Sequence, residues 1–393
     1  MFWIYNFLVA LSVPLFPIVK LKTKERGEVH LRPRLSADFP NAENKLFLHA
    51  ASIGEVNTVK PLIKRLKGRV ALTTFTDYGL ERAKKIYPEV PSRVIPLDFY
   101  PLVKKFLKRS RPKAFLIYES EIWPSLLRAT GELSIPLFFV SGKIGERAYR
   151  RLLKFKRFLK PLIEDKTFLA KSQKDAERAL EVGFKKVEVV GDLKLDYEPP
   201  KERAPLKIEG RRFVIMWGST HAGEERLAAE VHQKLKEEFP GLLTVIAPRH
   251  VNRAKNLKLP GKIVFRSESQ TVPADTEFYV VDTVGELPSL YSYSTVAVVG
   301  GSFVPGIGGH NPVEPVAAGV PTVMGIFGTE FSDVAERLGI EVVPPEKVTE
   351  TLRNLLKNPK LRREKGERSF LNWKMERGVS ERILKKVGET VEL

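Results

Sequence analysis

A glycine-rich stretch at residues 299–315 combines small residues with polar side chains that can bind a ligand. It holds five glycines together with His310, Asn311 and Glu314. The β-branched run at 294–299 predicts a strand before it, and residues 312–319 predict a helix with proline in its first turn. Such a junction presents backbone N–H groups and partial positive charge, which suits a phosphate. We predict a ligand-binding loop, with a plain surface loop as the alternative.

Three carboxylates follow predicted strands in the first half of the chain. Glu55 lies beside Gly54 directly after the first strand, and Glu119 and Glu121 come after a later one. A carboxylate at this edge can act as a general base toward a hydroxyl within hydrogen-bond reach. Helix capping explains the same positions, because the helix dipole favours an acid near an N-terminus. Both interpretations stay open for all three residues.

Hydroxyl, cationic and backbone donors follow predicted strands in the second half of the chain. Open α/β sheets bind ligands outside the carboxyl ends of their strands, so these segments are expected to gather at one edge. Donors of this kind suit a phosphate or carboxylate. The candidates are Ser219, Thr220, Arg249, His250, Gly285, Glu286 and Leu287.

Several well-known signatures are absent from the sequence. It contains no Gly-x-x-x-x-Gly-Lys-Ser/Thr loop, no Gly-x-Gly-x-x-Gly after the first strand, no His-Glu-x-x-His and no Asp-x-Asp pair. We therefore predict a group transfer that needs neither a metal ion nor a cofactor.

Short apolar runs alternate with helical patterns along most of the 393 residues, which predicts two α/β domains with parallel sheets covered on both faces. A charged, proline-rich break near residues 199–206 is the predicted linker. Strands are predicted at 45–50, 70–75, 93–97, 114–118, 135–140, 167–170, 187–190, 213–217, 242–247, 263–265, 277–281, 295–299 and 321–324.

The charge balance points to an anionic partner. The chain has 66 Lys and Arg against 47 Asp and Glu, a formal net charge of +19. This excess indicates a large anionic partner or surface. The absence of cysteine excludes disulfides and thiolate metal sites. No nucleic-acid-binding motif accompanies the basic residues, so nucleic acid is not the expected partner.

The first nineteen residues carry no charge and predict a membrane anchor. Pro14 and Pro17 leave open whether it spans the bilayer or lies in the interface. A cleaved signal peptide and a buried helix are the alternatives. Because lysines and an arginine follow at 20–26, the anchor would place the rest of the chain on the cytoplasmic side.

Two basic segments at 104–111 and 149–160 extend this membrane hypothesis. The second interleaves cations with Leu and Phe as an amphipathic helix does. It is predicted either to lie on anionic lipid headgroups or to pack its apolar face on the core with a solvated basic face.

Six motifs in order resemble the 3-deoxy-D-manno-octulosonic acid (Kdo) transferases of lipid A and lipopolysaccharide synthesis. The resemblance runs from the predicted anchor to the last helices. The motifs are His-Ala-Ala-Ser-Ile-Gly-Glu at 49–55, Glu-Ser-Glu-Ile-Trp-Pro at 119–124, Gly-Asp-Leu-Lys-Leu-Asp at 191–196, Ser-Thr-His-Ala-Gly-Glu-Glu at 219–225, Pro-Arg-His at 248–250, and Gly-Gly-Ser at 300–302 with Gly-His-Asn-Pro-Val-Glu at 309–314.

The resemblance implies a GT-B glycosyltransferase fold, with two Rossmann-like domains facing a cleft. Its expected parts are an anchor at 1–19, a basic connector at 20–44, an acceptor-binding domain at 45–198, a linker at 199–206, a CMP-sugar-binding domain at 207–358, and C-terminal helices at 359–393 packing back toward the first domain.

The resemblance also implies a reaction and residue roles. CMP-Kdo would be the donor and a tetraacylated lipid A precursor the acceptor, at the cytoplasmic face of the inner membrane. The transfer would be inverting, with Glu55 as general base. The remaining expected roles are CMP binding by Arg249, His250, Gly285, Glu286, Leu287, Asn311 and Glu314, donor contacts from Ser219 and Thr220, and acceptor or orienting contacts from Glu119, Glu121 and Lys194.

Two other functions fit parts of the sequence. A nucleotide-sugar epimerase of the same fold would explain the second domain but not the apolar N-terminus. A non-catalytic basic membrane-binding protein would explain the charge but not the acids that gather at strand ends.

Overall fold

The computed structural model describes residues 1–12, 31–210 and 213–393. The chain divides into two compact units. The first comprises Met1–Asp196 and Gly378–Leu393, and the second comprises Tyr197–Arg377. The chain therefore passes between them at Asp196–Tyr197 and at Arg377–Gly378.

The first unit is built on a seven-stranded parallel sheet with strand order β3-β2-β1-β4-β5-β6-β7. β1, β2, β4 and β5 are buried along their whole length, because helices cover both faces of the sheet. The strands are β1 (Leu46–His49), β2 (Val70–Thr74), β3 (Ser92–Val94), β4 (Ala114–Tyr118), β5 (Leu137–Gly142), β6 (Thr167–Ala170) and β7 (Lys186–Val189).

Two apolar clusters, one on each face of this sheet, form the core of the first unit. The helical segment after β1 is interrupted at Val59, where Pro61 follows in the first turn of a second helix. The helices up to this unit's last strand are α1 (Phe2–Ser12), α2 (Leu31–Arg34), α3 (Ile53–Thr58), α4 (Lys60–Leu66), α5 (Asp77–Ile86), α6 (Tyr100–Ser110), α7 (Pro124–Glu132), α8 (Glu146–Lys154), α9 (Lys156–Ile163) and α10 (Gln173–Val182).

Helix α1 docks on the first unit through polar contacts and leaves an apolar side exposed. The buried Asn6 side chain accepts a hydrogen bond from the backbone N–H of Tyr100 at 2.6 Å. The Tyr5 hydroxyl donates to Asp98 at 2.8 Å. Trp3 and Phe7 are exposed. Within the described ranges, no helix combines the length and apolarity needed to cross a membrane. Residues 13–19 of the predicted anchor and 20–30 of the predicted connector lie outside those ranges.

The second unit repeats the architecture with the strand order β11-β13-β10-β9-β14-β15-β16. All its strand pairs are parallel, and a separate two-stranded ribbon pairs β8 with β12. The strands are β8 (Lys207–Ile208), β9 (Val214–Thr220), β10 (Leu243–Pro248), β11 (Ile263–Phe265), β12 (Thr271–Val272), β13 (Phe278–Val280), β14 (Val296–Val299), β15 (Thr322–Gly325) and β16 (Glu341–Val343).

Helices flank the second sheet, and apolar side chains of α11 and α15 contribute to its core. The predicted helix at 312–319 is confirmed as a shorter one. The helices are α11 (Glu224–Leu235), α12 (Leu287–Leu290), α13 (Val313–Ala317), α14 (Ser332–Leu338), α15 (Val348–Lys357) and α16 (Pro359–Glu376), and α17 (Val379–Gly388) belongs to the first unit.

All thirteen predicted strands are confirmed, with ends shifted by up to three residues. The sequence did not predict β8, β12 or β16, which are two or three residues long and too short to show a period. The predicted helical stretch at 359–391 is two helices, because Gly378 adopts a left-handed backbone conformation between them.

The buried Asp196 carboxylate caps α17. It accepts hydrogen bonds from the backbone N–H groups of Gly378, Val379 and Ser380 at 2.8, 2.9 and 2.7 Å. These groups have no partner within the helix, so the carboxylate satisfies donors that would otherwise be buried and unpaired. The cap also joins the two points at which the chain leaves and re-enters the first unit.

We predict that Asp196→Ala lowers the free energy of unfolding by about 1–2 kcal/mol, because three helix N–H groups lose their acceptor. Asp196→Asn keeps one acceptor oxygen and should lose less. Urea unfolding followed by circular dichroism measures both. Glu389→Ala, at the exposed end of the same helix, should change the value by less than about 0.5 kcal/mol. An Asp196→Ala protein as stable as wild type would contradict the capping role.

Candidate functional site

The first sheet reverses its strand order between β1 and β4. β1 pairs with β2 on one side and β4 on the other, so the loops after β1 and β4 diverge at this point. Ligands of open α/β sheets bind in the crevice that such a reversal opens at the carboxyl edge. Glu55 follows β1, and Glu119 and Glu121 follow β4. The structure thus brings the three predicted carboxylates to one place.

Glu55 is half-buried in the first turn of α3. Its carboxylate accepts hydrogen bonds from the backbone N–H of Ala51 at 2.8 Å and from the Ser52 hydroxyl at 3.2 Å. Burial raises the pKa of Glu55 to about 7, and the negative charges of Glu119 and Glu121 also raise it. The hydrogen bonds from Ala51 and Ser52 lower the pKa and offset part of this effect. A carboxyl with this pKa exchanges its proton near neutral pH, which suits a general base.

Glu121 is held in a polar network that keeps it ionised. Its Oε2 lies 2.7 Å from Nε2 of the buried His49 and accepts a hydrogen bond from the Trp123 indole at 3.3 Å. The other ring nitrogen of His49 lies 2.9 Å from the Thr73 hydroxyl. Burial alone would raise the pKa of Glu121, but the hydrogen bonds, with the charges of His49 and Arg34, lower it below its usual value. Glu121 therefore supplies a fixed negative charge beside Glu55.

Glu119 has a left-handed backbone conformation, with φ 60°. Its N–H donates to the Val140 carbonyl at 3.0 Å, which fixes the turn after β4. The third predicted acceptor contact, Lys194, lies in a short helix capped by the buried Asp192, whose carboxylate forms an ion pair with Lys171 at 3.0 Å. The negative charges of Asp192, Glu119 and Glu55 all raise the pKa of the buried Tyr118. Asp192, which caps the helix of Lys194, therefore acts on the same side chain as two of the predicted carboxylates.

The second sheet has the same reversal between β9 and β14. β9 pairs with β10 and β14, so the turn after β9 and the glycine-rich loop after β14 lie side by side. The approach of the two backbones is close enough to require glycine. A Cβ on Gly300 would lie 2.5 Å from the Ser219 carbonyl oxygen, and one on Gly301 would lie 2.9 Å from the His310 ring.

The fully buried Glu224 carboxylate ties these two loops together. It accepts backbone N–H hydrogen bonds from His221 at 2.9 Å, Gly301 at 2.7 Å, Ser302 at 3.1 Å and Phe303 at 2.9 Å. Burial raises the pKa of this carboxyl, and the four N–H donors oppose that effect. The first N–H groups of the glycine-rich loop thus bind a carboxylate of the protein itself, whereas the sequence predicted a phosphate for such groups.

A cluster of cations and histidines lies at the carboxyl ends of β9 and β10. The Arg249 N–H donates to the Thr220 carbonyl at 3.0 Å, which holds the two strand ends together. The His221 and His310 rings are nearly parallel, with centroids 5.0 Å apart, and the His221 ring meets His250 edge-on at 5.9 Å. The histidine–cation cluster, defined as these three histidines with Arg249, can meet the negative charge of a phosphate with side chains.

Glu314, in the first turn of α13, is an acidic residue that interacts electrostatically with Arg249 of this cluster. Burial raises the pKa of Glu314 to about 7, and Arg249 acts in the opposite direction. The negative charge of Glu314 adds to the effect of burial in raising the pKa of the half-buried Tyr197 and of the buried Tyr291. The predicted donor residue Asn311 accepts a hydrogen bond from the Val313 N–H at 3.1 Å, which fixes the start of α13.

Of the remaining predicted donor residues, Thr220 and Glu286 have side-chain partners within the protein. Ser219 is half-buried with a left-handed backbone, and the Thr220 hydroxyl donates to Glu225 at 3.0 Å. Gly285 is exposed with positive φ, and Leu287 begins α12. Glu286 accepts two hydrogen bonds from Arg266, at 2.6 and 3.2 Å. Glu286 is therefore committed to a bidentate ion pair that positions the loop after β13.

Sequence reasoning did not assign roles to Glu224, His221 or to His310 as a partner of His221. An acid at the start of a helix reads as an exposed dipole partner, and nothing in its spacing shows that it is buried under another loop. The signal that was available is the Gly-Gly-Ser run, since three small residues in a row permit a buried anion to reach successive N–H groups. Across the described part of the chain, no group of three or more His, Asp or Glu side chains is placed to hold a metal ion.

The sequence matches one family model and resembles several characterised proteins. The model is described as 3-Deoxy-D-manno-octulosonic-acid transferase (kdotransferase) and matches residues 24–197. A 3-deoxy-D-manno-octulosonic acid transferase of Aquifex aeolicus (strain VF5) is 30% identical over 338 residues, which cover 80% of this chain and 87% of that protein. A bifunctional glycosyltransferase/methyltransferase of Fusobacterium nucleatum is 31% identical over 386 residues, which cover 89% of this chain but 59% of the relative.

A solved structure supports the architecture. The glycosyltransferase from Rickettsia africae ESF-5 superposes with a TM-score of 0.58, covers 88% of this chain and 98% of that one, and shares 14% sequence identity. At this identity the likeness concerns the fold alone. Together with the two parallel sheets, it confirms the predicted two-domain, GT-B-like α/β fold.

We predict that Glu224→Gln lowers the free energy of unfolding by about 3 kcal/mol, because the amide NH₂ would face N–H donors in place of an accepting oxygen. Chemical unfolding measures the loss, and hydrogen exchange at residues 301–303 should accelerate. Glu230→Gln, the same change at an exposed position of α11, should have almost no effect. Unchanged exchange at 301–303 would contradict the role of Glu224 in holding the loop.

Proposed function

The chain belongs to the 3-deoxy-D-manno-octulosonic acid transferase family and is a glycosyltransferase, and we propose that it transfers Kdo from CMP-Kdo to a hydroxyl of a tetraacylated lipid A precursor. One observation carries the proposal: a carboxyl with a pKa near 7 and a histidine–cation cluster each lie at the sheet reversal of their own unit. A base for an acceptor and cations for a phosphate are the two needs of this reaction. Family membership favours transfer over the epimerase alternative.

Glu55 is proposed as the general base. The acceptor hydroxyl oxygen would attack the anomeric carbon of Kdo, its proton would pass to a Glu55 carboxylate oxygen, and the bond from that carbon to the phosphate oxygen would break. The Ala51 N–H and the Ser52 hydroxyl hold the carboxylate in one orientation. Glu119 and Glu121 help to raise its pKa, and so increase its basicity. Lys194 is proposed as a weaker acceptor contact.

Arg249 and the neighbouring histidines are proposed to bind CMP. Arg249 is exposed at the end of β10, and its charge reaches Glu314 and His310. A guanidinium can bind a phosphate with two hydrogen bonds at once, which stabilises the charge on the departing group. Glu314 and Asn311 would contact the ribose and base, with Ser219, Thr220 and the loop at 285–287 completing the nucleotide site. These cations would take the place of a metal ion, so we expect activity to persist in a chelator.

We also propose that the protein works at the cytoplasmic face of the inner membrane, where the lipid acceptor would be found. Exposed Trp3 and Phe7 on α1 offer apolar contacts. Helix α8 and the start of α9 present Leu153 and Phe155 among exposed arginines and lysines. Such a surface suits anionic headgroups.

The decisive assay is incubation of the full chain with CMP-Kdo and the tetraacylated lipid A precursor. CMP release and the mass gained by the lipid are read together, and the mass also gives the number of Kdo units added. The proposal expects both signals with lipid present and neither without it. CMP release that needs no lipid, or a lipid of unchanged mass, would contradict it.

Glu55→Gln should lower turnover by about 10³-fold while CMP still binds, because the amide keeps the shape of the side chain but cannot take a proton. Transfer is measured by CMP release and binding by calorimetry. Glu89→Gln, an exposed residue of the same unit, is the matched control and should behave as wild type. Wild-type turnover in Glu55→Gln would remove Glu55 from the mechanism.

The pH dependence follows from the same residue. Because the pKa of Glu55 is raised to about 7, its basic form is lost as the pH falls below 7. With saturating donor, kcat/KM for the acceptor should therefore fall about tenfold per pH unit well below pH 7 and level off above it. The residual rate of Glu55→Gln should lack this inflection.

Arg249→Ala should weaken CMP binding by about 10- to 100-fold, the effect of one or two charge-assisted hydrogen bonds. Isothermal titration calorimetry measures the dissociation constant. Arg226→Ala removes an exposed arginine from α11 of the same unit and should leave the constant unchanged. An unchanged constant in Arg249→Ala would place the nucleotide elsewhere.

Reversing charge on the α8 surface should weaken membrane binding. The double variant Arg151→Glu/Lys154→Glu changes the charge of this surface by four units, and each unit contributes about 1 kcal/mol near an anionic bilayer. The affinity for phosphatidylglycerol vesicles, measured by cosedimentation, should therefore fall by more than tenfold. Lys84→Glu/Lys85→Glu makes the same change on exposed residues of α5. Equal losses in both variants would show that net charge alone, and not this surface, directs binding.

A further inference from the structure

The side chains of His221 and His310 contact each other through their Nε2 nitrogens. Their Nε2 nitrogens lie 2.7 Å apart and their rings are nearly parallel, at 10°. The two residues come from different loops, the turn after β9 and the glycine-rich loop after β14. Glu224 holds the backbone N–H groups of both loops, at His221 and at residues 301–303. The contact is thus built by the fold rather than by mobile surface side chains.

The number of protons in this contact is restricted. If neither Nε2 carried a proton, their lone pairs would repel each other, and if both did, the two hydrogens would clash. One Nε2 therefore donates a hydrogen bond and the other accepts it. In the neutral pair the accepting ring carries its proton on Nδ1. One further proton can be added to the free Nδ1 of the donating ring without breaking the contact, and it converts the contact into a stronger, charge-assisted hydrogen bond.

The surroundings keep the pair neutral in the absence of a ligand. Burial lowers the pKa of His310 to about 4, with His221, Arg249 and His250 adding to the effect. Burial and the neighbouring cations also lower the pKa of His221, which Glu225 partly offsets. The charged groups around the pair are Arg249 and His250 at the end of β10, Arg253 in the short helix that follows, and Glu224 and Glu225 of α11. Glu314 lies farther along the glycine-rich loop, and Glu330 lies next to Gly308 of that loop.

Two of these acids have other partners. Glu224 is occupied by four backbone N–H groups, and Glu225 is paired with Arg253 at 3.2 Å and with Thr220. An anion that enters the histidine–cation cluster would meet the positive charge of Arg249. Its negative charge acts on the pair in the opposite direction to burial and Arg249.

We propose that the His221–His310 pair takes up one proton when the phosphate of a nucleotide binds beside it, so that the two rings together form a cation that exists only while the anion is present. The inference rests on the donor site proposed above and assigns a specific role to two of its histidines. By linkage, nucleotide affinity then rises as the pH falls toward 6, because the bound state holds more protons than the free state.

Calorimetry with the full chain tests the proposal. CMP is titrated at pH 7 in two buffers that differ in enthalpy of ionisation, and the difference in heat gives the number of protons taken up on binding. Wild type is expected to take up a large fraction of a proton, at most about one, since one Nδ1 is available. His310→Gln and His221→Asn should bind CMP without that uptake. Arg226→Ala, at an exposed position of α11 outside the site, should keep it.

The variants also correct for the titration of CMP itself, because its phosphate contributes equally in all of them. A second measurement needs no variant: the ring nitrogens of His221 and His310 in wild type, observed by ¹⁵N NMR, should move toward imidazolium shifts when CMP is added. Binding of CMP with no proton uptake, or with the same uptake in His310→Gln, would overturn the inference and leave the donor site intact. If CMP does not bind at all, the proposed donor site fails and this inference fails with it.

Discussion

The second unit depends on one buried charge, the Glu224 carboxylate, which is surrounded by four backbone N–H groups. An isolated carboxylate in the interior would be costly, and hydrogen bonds from amides offset that cost. The glycine-rich loop is thereby fixed at its start. Because its first N–H groups already bind this carboxylate, the charge of a phosphate in the proposed donor site would be met by side chains. Arg249 and the three histidines would provide them, and the glycines serve mainly to let two loops approach closely.

A comparison of Glu224 with Glu55 shows how similar sequence contexts give different chemistry. Each follows a parallel strand and begins a helix at a sheet reversal. Glu224 has four N–H donors and is fully buried, so it serves as a structural anion. Glu55 has two donors, partial exposure and two acidic neighbours, so its proton exchanges near pH 7. The difference lies in the neighbours that other strands supply, and not in the residue or its local motif.

Contacts between residues on different strands could not be predicted from the sequence. Buried parallel strands are continuous apolar runs, so thirteen strands were visible, as was the gathering of Glu55, Glu119 and Glu121 at one edge. The order of strands within each sheet has no local signal, because it follows from the packing of distant helices. For the same reason neither the burial of Glu224 nor the ion pair of Glu286 with Arg266 could be predicted. Contacts between residues about 80 positions apart, such as Glu224 with Ser302, are fixed only by the folded topology.

A site for the proposed donor must bind an anion and then release it, and the arrangement of charge in the second unit suits both needs. Arg249 is permanently charged, which favours capture but would slow the loss of a product that still carries the phosphate. A histidine pair that is neutral when empty adds attraction only while the anion is bound, and it spares the resting protein an extra buried cation next to Arg249. Arg249 lies at an exposed strand end, whereas His221 and His310 lie on two loops that Glu224 ties together through their backbone N–H groups.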